Sequence, residues 1–183
     1  FGQALLENYF SAYLAQVDHG RRSLNDRIGS RTAAQLIEVM LTRSDNAATD
    51  ALMRELGRDA VEGKLAAIGH SAPDKALPML TTVEAFALKS NPALRQRFEK
   101  ASEAGQRELL ASERAALSYS AIDMSHLGSG PVAIDSVEWF ASPADTALLL
   151  NNLRRSNSQT TRDIMAVNSG IGPAAAGKWR YLG

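Results

Sequence analysis

The stretch of sequence that decides both the fold and the candidate chemistry is Met40-Leu41-Thr42-Arg43-Ser44-Asp45-Asn46-Ala47-Ala48-Thr49-Asp50-Ala51-Leu52. Apolar residues recur at helical spacing on both sides of its centre, and a short polar turn, Thr42–Asn46, separates the two runs. This pattern predicts two helices joined by a turn. Because packed helices on both sides restrict such a turn, we expect its side chains to be held in fixed positions.

Two interpretations of Ser44-Asp45-Asn46 follow from its residue types. A serine hydroxyl can both donate and accept a proton, so Ser44 could pass one to a leaving nitrogen. The Asn46 amide could orient a substrate carbonyl or amide, while ionised Asp45 would accept hydrogen bonds from backbone donors and stiffen the turn. The alternative is simple capping, because these three residue types are favoured at helix starts and a helix is predicted to begin here. Taken alone, such a tripeptide is more often a cap than a catalytic element.

Helix-start signals and apolar periodicity predict helices along almost the whole chain. Two capping boxes, which begin at Thr32 and Thr81, and two cap-proline pairs, Asn91-Pro92 and Ser142-Pro143, mark four of the starts. The predicted helices cover about 2–17, 32–41, 47–56, 59–68, 81–88, a segment from 91, a segment from 142, and 160–167, with loops at 69–80 and 118–136. The fold class is therefore predicted to be all-α, with a strand starting only over residues 178–183.

Composition excludes several classes of partner. Apolar residues make up 45% of the chain and charged residues 22%, as in an ordinary globular protein. The 20 lysines and arginines balance the 20 aspartates and glutamates, so the basic excess of a nucleic-acid binder is missing. No apolar run approaches the roughly 20 residues that span a bilayer. The chain has no cysteine, and its three histidines lack metal-site spacing, so we expect no metal and no cofactor.

The run Met40–Leu52 strongly resembles the segment of class A β-lactamases and related penicillin-recognising serine hydrolases that carries the serine-aspartate-asparagine element. Three further segments resemble the family in the same order along the chain. They are the end of the first long helix and the following turn at 16–28, the approach to a later long helix at 136–145, and the approach to the lysine-threonine-glycine strand at 168–183. The resemblance implies that residues 1–183 form the helical subdomain of the α+β serine β-lactamase/transpeptidase-like fold.

The same resemblance implies a function. The chain would belong to a serine hydrolase that forms an acyl-enzyme with an amide, lactam or ester. Ser44 would be the catalytic residue of this segment, Asn46 would bind substrate, and Asp45 would support the turn. The implied partner is a small molecule, either a β-lactam, a peptidoglycan-like amide or an ester. The implied location is extracytoplasmic, meaning periplasmic, secreted or in the cell envelope.

Two elements of the family are not matched. The nucleophile lies in a serine-x-x-lysine element at the start of the first long helix, and one alignment places this element at Gln3–Leu6. The other alignment puts the serine just before Phe1, and neither yields the pair. The lysine-threonine-glycine element would begin after Gly183. We therefore expect the chain to be part of a larger domain, to need the remaining N- and C-terminal parts of the same protein, and to show no activity alone.

A third departure concerns deacylation. Class A β-lactamases carry a glutamate that activates water, but the corresponding stretch Ser71–Leu80 contains no glutamate and only one acid, Asp74. Glu84 falls inside the next capping box. This argues against β-lactam hydrolysis and leaves two alternatives open. One is a relative that has lost catalysis and binds peptidoglycan-like or protein ligands; the other is a helical interaction module in which Ser44-Asp45-Asn46 is only a cap.

Overall fold

A computed structural model describes residues 2–128 and 130–155 together with the single residues 159 and 163, and for residues 2–8 it describes the backbone alone. The described part contains eight α-helices, three short 3-10 turns and one two-stranded hairpin. The prediction of an almost entirely helical chain is confirmed there. The chain divides into two compact units, unit 1 from Phe1–Ser71 and Ala141–Gly183, and unit 2 from Ala72–Phe140.

Unit 1 is built around its first helix. Its helices are α1 (Gly2–Asp18), α2 (Ala33–Arg43), α3 (Asn46–Leu56), α4 (Arg58–Ala67) and α8 (Pro143–Arg154). Helix α1 packs against each of the other four, and α2 packs along α3. Tyr9, Phe10 and Tyr13 of α1 are completely buried, as expected for a helix enclosed by neighbours. This arrangement holds α2 and α3, the helices on both sides of the polar turn, against a common core.

A small hairpin precedes α2. Strands β1 (Arg27–Ile28) and β2 (Arg31–Thr32) pair antiparallel, with Arg27 opposite Thr32. Gly29 lies in the turn with φ 61°, which glycine adopts without strain. The prediction that only the end of the chain is extended is wrong at this hairpin, since two-residue strands are too short to show alternation. The strand predicted at 178–183 and the helix predicted at 160–167 lie outside the described residues, apart from the helical Asp163.

Unit 2 contains three helices, α5 (Thr82–Ser90), α6 (Pro92–Lys100) and α7 (Glu103–Ser112). Its 3-10 turns are Pro73–Ala76, Tyr119–Ala121 and Met124–Leu127, inside the two predicted loops. Helix α6 packs between α5 and α7. The sequence predicted one helical segment from Asn91-Pro92, whereas the structure has two helices there, α6 and α7. Ser102 starts the second of them, because its hydroxyl accepts a hydrogen bond from Gly105 N at 3.3 Å.

The helix starts predicted from capping signals are confirmed. Thr32, Thr81 and Ser142 each form a reciprocal capping box with the residue three positions later, and Asn91 caps α6 with Pro92 in the first turn. These bonds satisfy backbone N–H groups that have no partner within the helix. No helix among the described residues combines the length and the apolar character that a membrane crossing requires.

Candidate active-site turn

The turn between α2 and α3, here called the S-D-N turn (residues 44–46), changes direction at Ser44. Ser44 has φ 50° and ψ 43°, the left-handed conformation, and its backbone N–H donates to Val39 O at the end of α2. Asp45 returns to an extended conformation and α3 begins at the next residue. Two residues, Ser44 and Asp45, therefore join the two helices. Buried side chains of α2 and α3, such as Met40 and Leu52, fix the helices on both sides of it.

Asp45 is the residue that caps α3. Its Oδ1 accepts a hydrogen bond from Ala48 N at 2.9 Å, and its backbone carbonyl accepts one from Thr49 Oγ1, also at 2.9 Å. Thr49 is buried, so this second bond is shielded from water. The Asp45 side chain is thus used within the protein, in a bond that ties the turn to the helix following it.

The side chains of Ser44 and Asn46 are available to bind a group from outside the protein. Both residues are exposed, and within residues 2–128 and 130–155 neither side chain makes a hydrogen bond or an ion pair. Capping therefore accounts for Asp45 but for neither of its neighbours. A hydroxyl and an amide, two residues apart on a restricted backbone, face solvent and can bind an external polar group.

The left-handed conformation of Ser44 gives a prediction about stability. A Cβ in this conformation costs roughly 1–2 kcal/mol, and glycine avoids the cost. Ser44→Gly is expected to unfold with a free energy about 1 kcal/mol higher than Ser44→Ala, since both variants lack the hydroxyl and differ only in Cβ. Urea denaturation of the two variants measures the difference. Equal stabilities would mean that residue 44 is not left-handed in solution.

A second polar cluster surrounds Asp145 in unit 1. This carboxylate is buried and accepts hydrogen bonds from Ser142 N and Oγ, both at 2.7 Å, and from Ser71 N and Oγ at 2.7 and 2.8 Å. Burial alone would raise the pKa of Asp145, but these four bonds outweigh it and hold the pKa well below its usual range. A carboxylate with such a low pKa is a weak base at neutral pH, so the cluster has a structural role.

Sequence reasoning identified Ser142 as a helix cap but did not identify this cluster. Ser142 and Asp145 are a local capping box, whereas Ser71 lies 74 residues away and carries no signal for the contact. His70, beside it, has its Nε2 3.7 Å from Asp145 Oδ2 and is buried, although isolated histidines are usually found nearer the surface. In the described residues, no three histidine, cysteine, aspartate or glutamate side chains gather as a metal site would require.

A cavity of about 280 Å³ lies among α1, α4 and α8. Its lining includes Asp18 at the end of α1, Lys64 in the last turn of α4, and Arg155 just after α8. Burial lowers the pKa of Lys64, and the Asp18 carboxylate opposes that shift. Helix C-termini carry partial negative charge, which Lys64 and Arg155 complement. Lys64 and Arg155 therefore lie at positions where a helix end favours a positive charge.

Comparison with known proteins identifies the family of the chain. A family model described as the beta-lactamase enzyme family matches residues 20–168. The match includes both helices that flank the turn, as well as the Asp145 cluster. No curated protein matches the chain. Since the family match spans most of the 183 residues, the chain belongs to the beta-lactamase enzyme family and is a β-lactamase-like serine hydrolase at the level of that family.

Proposed function

We propose that this chain supplies the S-D-N side of the active site in a serine hydrolase that acts through an acyl-enzyme on an amide, lactam or ester. The observation that carries the proposal is that only one of the three polar side chains in the turn is used in capping. Asp45 alone caps α3, while Ser44 and Asn46 are exposed and make no side-chain bond in the described part of the chain. A purely structural cap has no need of the two flanking polar side chains.

The proposed roles follow from the chemistry of each group. The Ser44 hydroxyl relays a proton: it donates one to the leaving nitrogen or oxygen of the substrate and takes one up from the base beside the nucleophile. The backbone on either side restricts its position. The Asn46 amide donates to a substrate carbonyl and fixes its orientation. Asp45 holds both residues in register with α3. Hydrolysis by a serine hydrolase also requires a nucleophile, a base beside it and an oxyanion hole, and this turn provides none of the three.

We infer that residues 1–183 act as a helical subdomain and that other parts of the same protein provide the nucleophilic serine and its lysine. No serine-x-x-lysine and no lysine-[serine/threonine/glycine]-glycine sequence occurs within these residues. The proposed partner is a small molecule, a β-lactam or a peptidoglycan-like amide or ester. An extracytoplasmic location is part of the same proposal, because peptidoglycan-like substrates are found there.

We expect a β-lactam to acylate the protein but to be released slowly, because the stretch that would carry the deacylating glutamate lacks one. Ser71–Leu80 contains no glutamate, and its one acid, Asp74, is exposed in a 3-10 turn. A general base must lie within hydrogen-bond reach of the water that it activates. Without such a glutamate, an acyl-enzyme formed from a β-lactam is expected to persist, so the protein would be labelled by penicillins.

Covalent labelling tests the proposal. The 183-residue chain alone, incubated with a fluorescent penicillin, is expected to gain no mass by intact-protein mass spectrometry, because it lacks the nucleophile. The same segment in a protein that also contains a serine-x-x-lysine element is expected to gain one penicillin mass at that serine.

The outcomes separate the alternatives. Reversible binding of muropeptides without a covalent adduct would indicate a ligand-binding relative that has lost catalysis. Neither binding nor an adduct would favour a helical interaction module. An adduct on the isolated chain would contradict the proposed division of roles, since it would reveal a nucleophile within residues 1–183.

A further inference from the structure

Unit 2 is a continuous insertion whose two ends are fastened together inside unit 1. The chain leaves unit 1 after Ser71 and returns to it at Ala141. Asp145 accepts hydrogen bonds from both sides of this insertion, from Ser71 N and Oγ at 2.7 and 2.8 Å and from Ser142 N and Oγ at 2.7 Å. All three residues belong to unit 1, so the ends of the insertion are held by bonds that involve no atom of unit 2.

Unit 2 has a hydrophobic core of its own. Ten buried side chains pack into one cluster, and every one of them lies between residues 72 and 140. Leu88 and Val137 are completely buried, and Phe98 is 2% exposed. The cluster joins all three helices of the unit to its last segment. At about 70 residues, the unit is longer than the roughly 40 below which a domain usually needs a disulfide or a metal.

Polar contacts close the end of unit 2 back onto its beginning. Trp139 Nε1 donates to Leu80 O at 2.9 Å, so a residue near the end of the insertion bonds to one near its start. Lys89 Nζ lies 2.5 Å from Glu138 Oε2 in a half-buried ion pair. These long-range bonds form entirely within the insertion.

We propose that unit 2 is a separate cooperative unit, which opens and recloses while the helices around the S-D-N turn stay folded. Local opening occurs in roughly contiguous cooperative units, which often coincide with one compact part of the fold. Unit 2 has its own core, and the Asp145 bonds keep its two attachment points together when it opens. The inference is independent of the proposed hydrolase function, because it concerns folding units and uses no residue of the S-D-N turn.

Hydrogen exchange on the complete 183-residue chain tests the proposal with a matched pair of variants. Phe98→Ala removes a core side chain of unit 2, and Leu52→Ala removes one of α3 in unit 1. Phe98→Ala is expected to speed exchange of the slowest amides in α5, α6 and α7 by about 10²-fold or more, and to change those of α2 and α3 by less than about 3-fold. Leu52→Ala is expected to give the reverse pattern.

A shared response overturns the proposal. If either variant raises exchange in both units by similar factors, the chain opens as one cooperative body. If Phe98→Ala abolishes all protection in unit 2, continued protection of α2 and α3 supports independent units and loss of that protection contradicts them. Val137→Ala, which removes less buried surface, gives a milder perturbation of unit 2 and should produce the same selective pattern at smaller amplitude.

Discussion

Ser44→Ala is expected to slow acylation by a β-lactam probe by about 10²–10⁴-fold in a protein that joins this segment to a serine-x-x-lysine element. The physical reason is loss of the group proposed to protonate the leaving nitrogen, which otherwise departs as an unstable anion. Stopped-flow or gel-based measurement of the fluorescent penicillin adduct gives the rate constant. The experiment uses a protein that contains both elements, since the 183-residue chain alone is expected to form no penicillin adduct.

Thr42→Ala is the matched control for this experiment. Thr42 also carries a hydroxyl and lies two residues before Ser44, but its Oγ1 donates to Glu38 O at 2.8 Å within α2. Its removal is expected to leave the acylation rate within about 3-fold of the unchanged protein, as for a residue outside the proton-transfer path. An effect of Ser44→Ala below about 10-fold, with helical content unchanged, would remove Ser44 from the proposed proton-transfer role.

Local interactions explain how much of this fold was predictable from sequence. The starts of α2 and α5 are set by capping boxes whose members lie three residues apart, at Thr32 and Thr81, and the start of α8 by Ser142, which the sequence marks as a cap before Pro143. Because donor and acceptor are close in sequence, the residue types alone identify the bond. The S-D-N turn was also predictable from a local pattern, because apolar periodicity marked the helices on both of its sides.

Backbone conformation determines which residue of the turn caps α3, a choice that the residue types do not make. Any of Ser44, Asp45 and Asn46 could cap α3 by residue type. The left-handed φ of Ser44 places it as the last residue associated with α2, so the extended Asp45 becomes the cap and Asn46 the first helical residue. A positive φ at a serine has no local sequence signal, because serine rarely adopts it. The two available side chains therefore became apparent only from the structure.

Contacts between residues far apart in sequence were not predicted, because no local pattern marks them. The Ser71–Asp145 bonds join residues 74 positions apart, and their formation depends on where α8 packs. The division of the helical segment after Asn91 into α6 and α7 was also missed, although Ser102 is a favoured capping residue. The early hairpin escaped detection because its strands contain two residues each.

Asp145→Asn is expected to lower the free energy of unfolding of unit 1 by about 3 kcal/mol at neutral pH, given that hydrogen bonds to a buried charged group contribute roughly 1.5–3 kcal/mol each and are only partly replaced. The amide replaces one acceptor oxygen with a donor, which then faces the Ser71 and Ser142 donors. Denaturant unfolding followed by circular dichroism measures the loss. Asp135→Asn, at an exposed aspartate, is the control and is expected to change stability by less than about 0.5 kcal/mol.

The pH dependence of this difference follows from the lowered pKa of Asp145 in the folded protein. The group contributes stability at every pH above its unfolded pKa of about 3.9, and that contribution is lost as pH falls from there through the folded pKa. The comparison is made in a His70→Gln background, because His70 Nε2 lies 3.7 Å from Asp145 Oδ2 and its charge would also affect the carboxylate. In that background, the difference in stability between chains with and without Asp145→Asn should be constant from about pH 5 to 8 and shrink below about pH 4. A gap that narrows already between pH 7 and 5 would show that the carboxylate is not held ionised by Ser71 and Ser142.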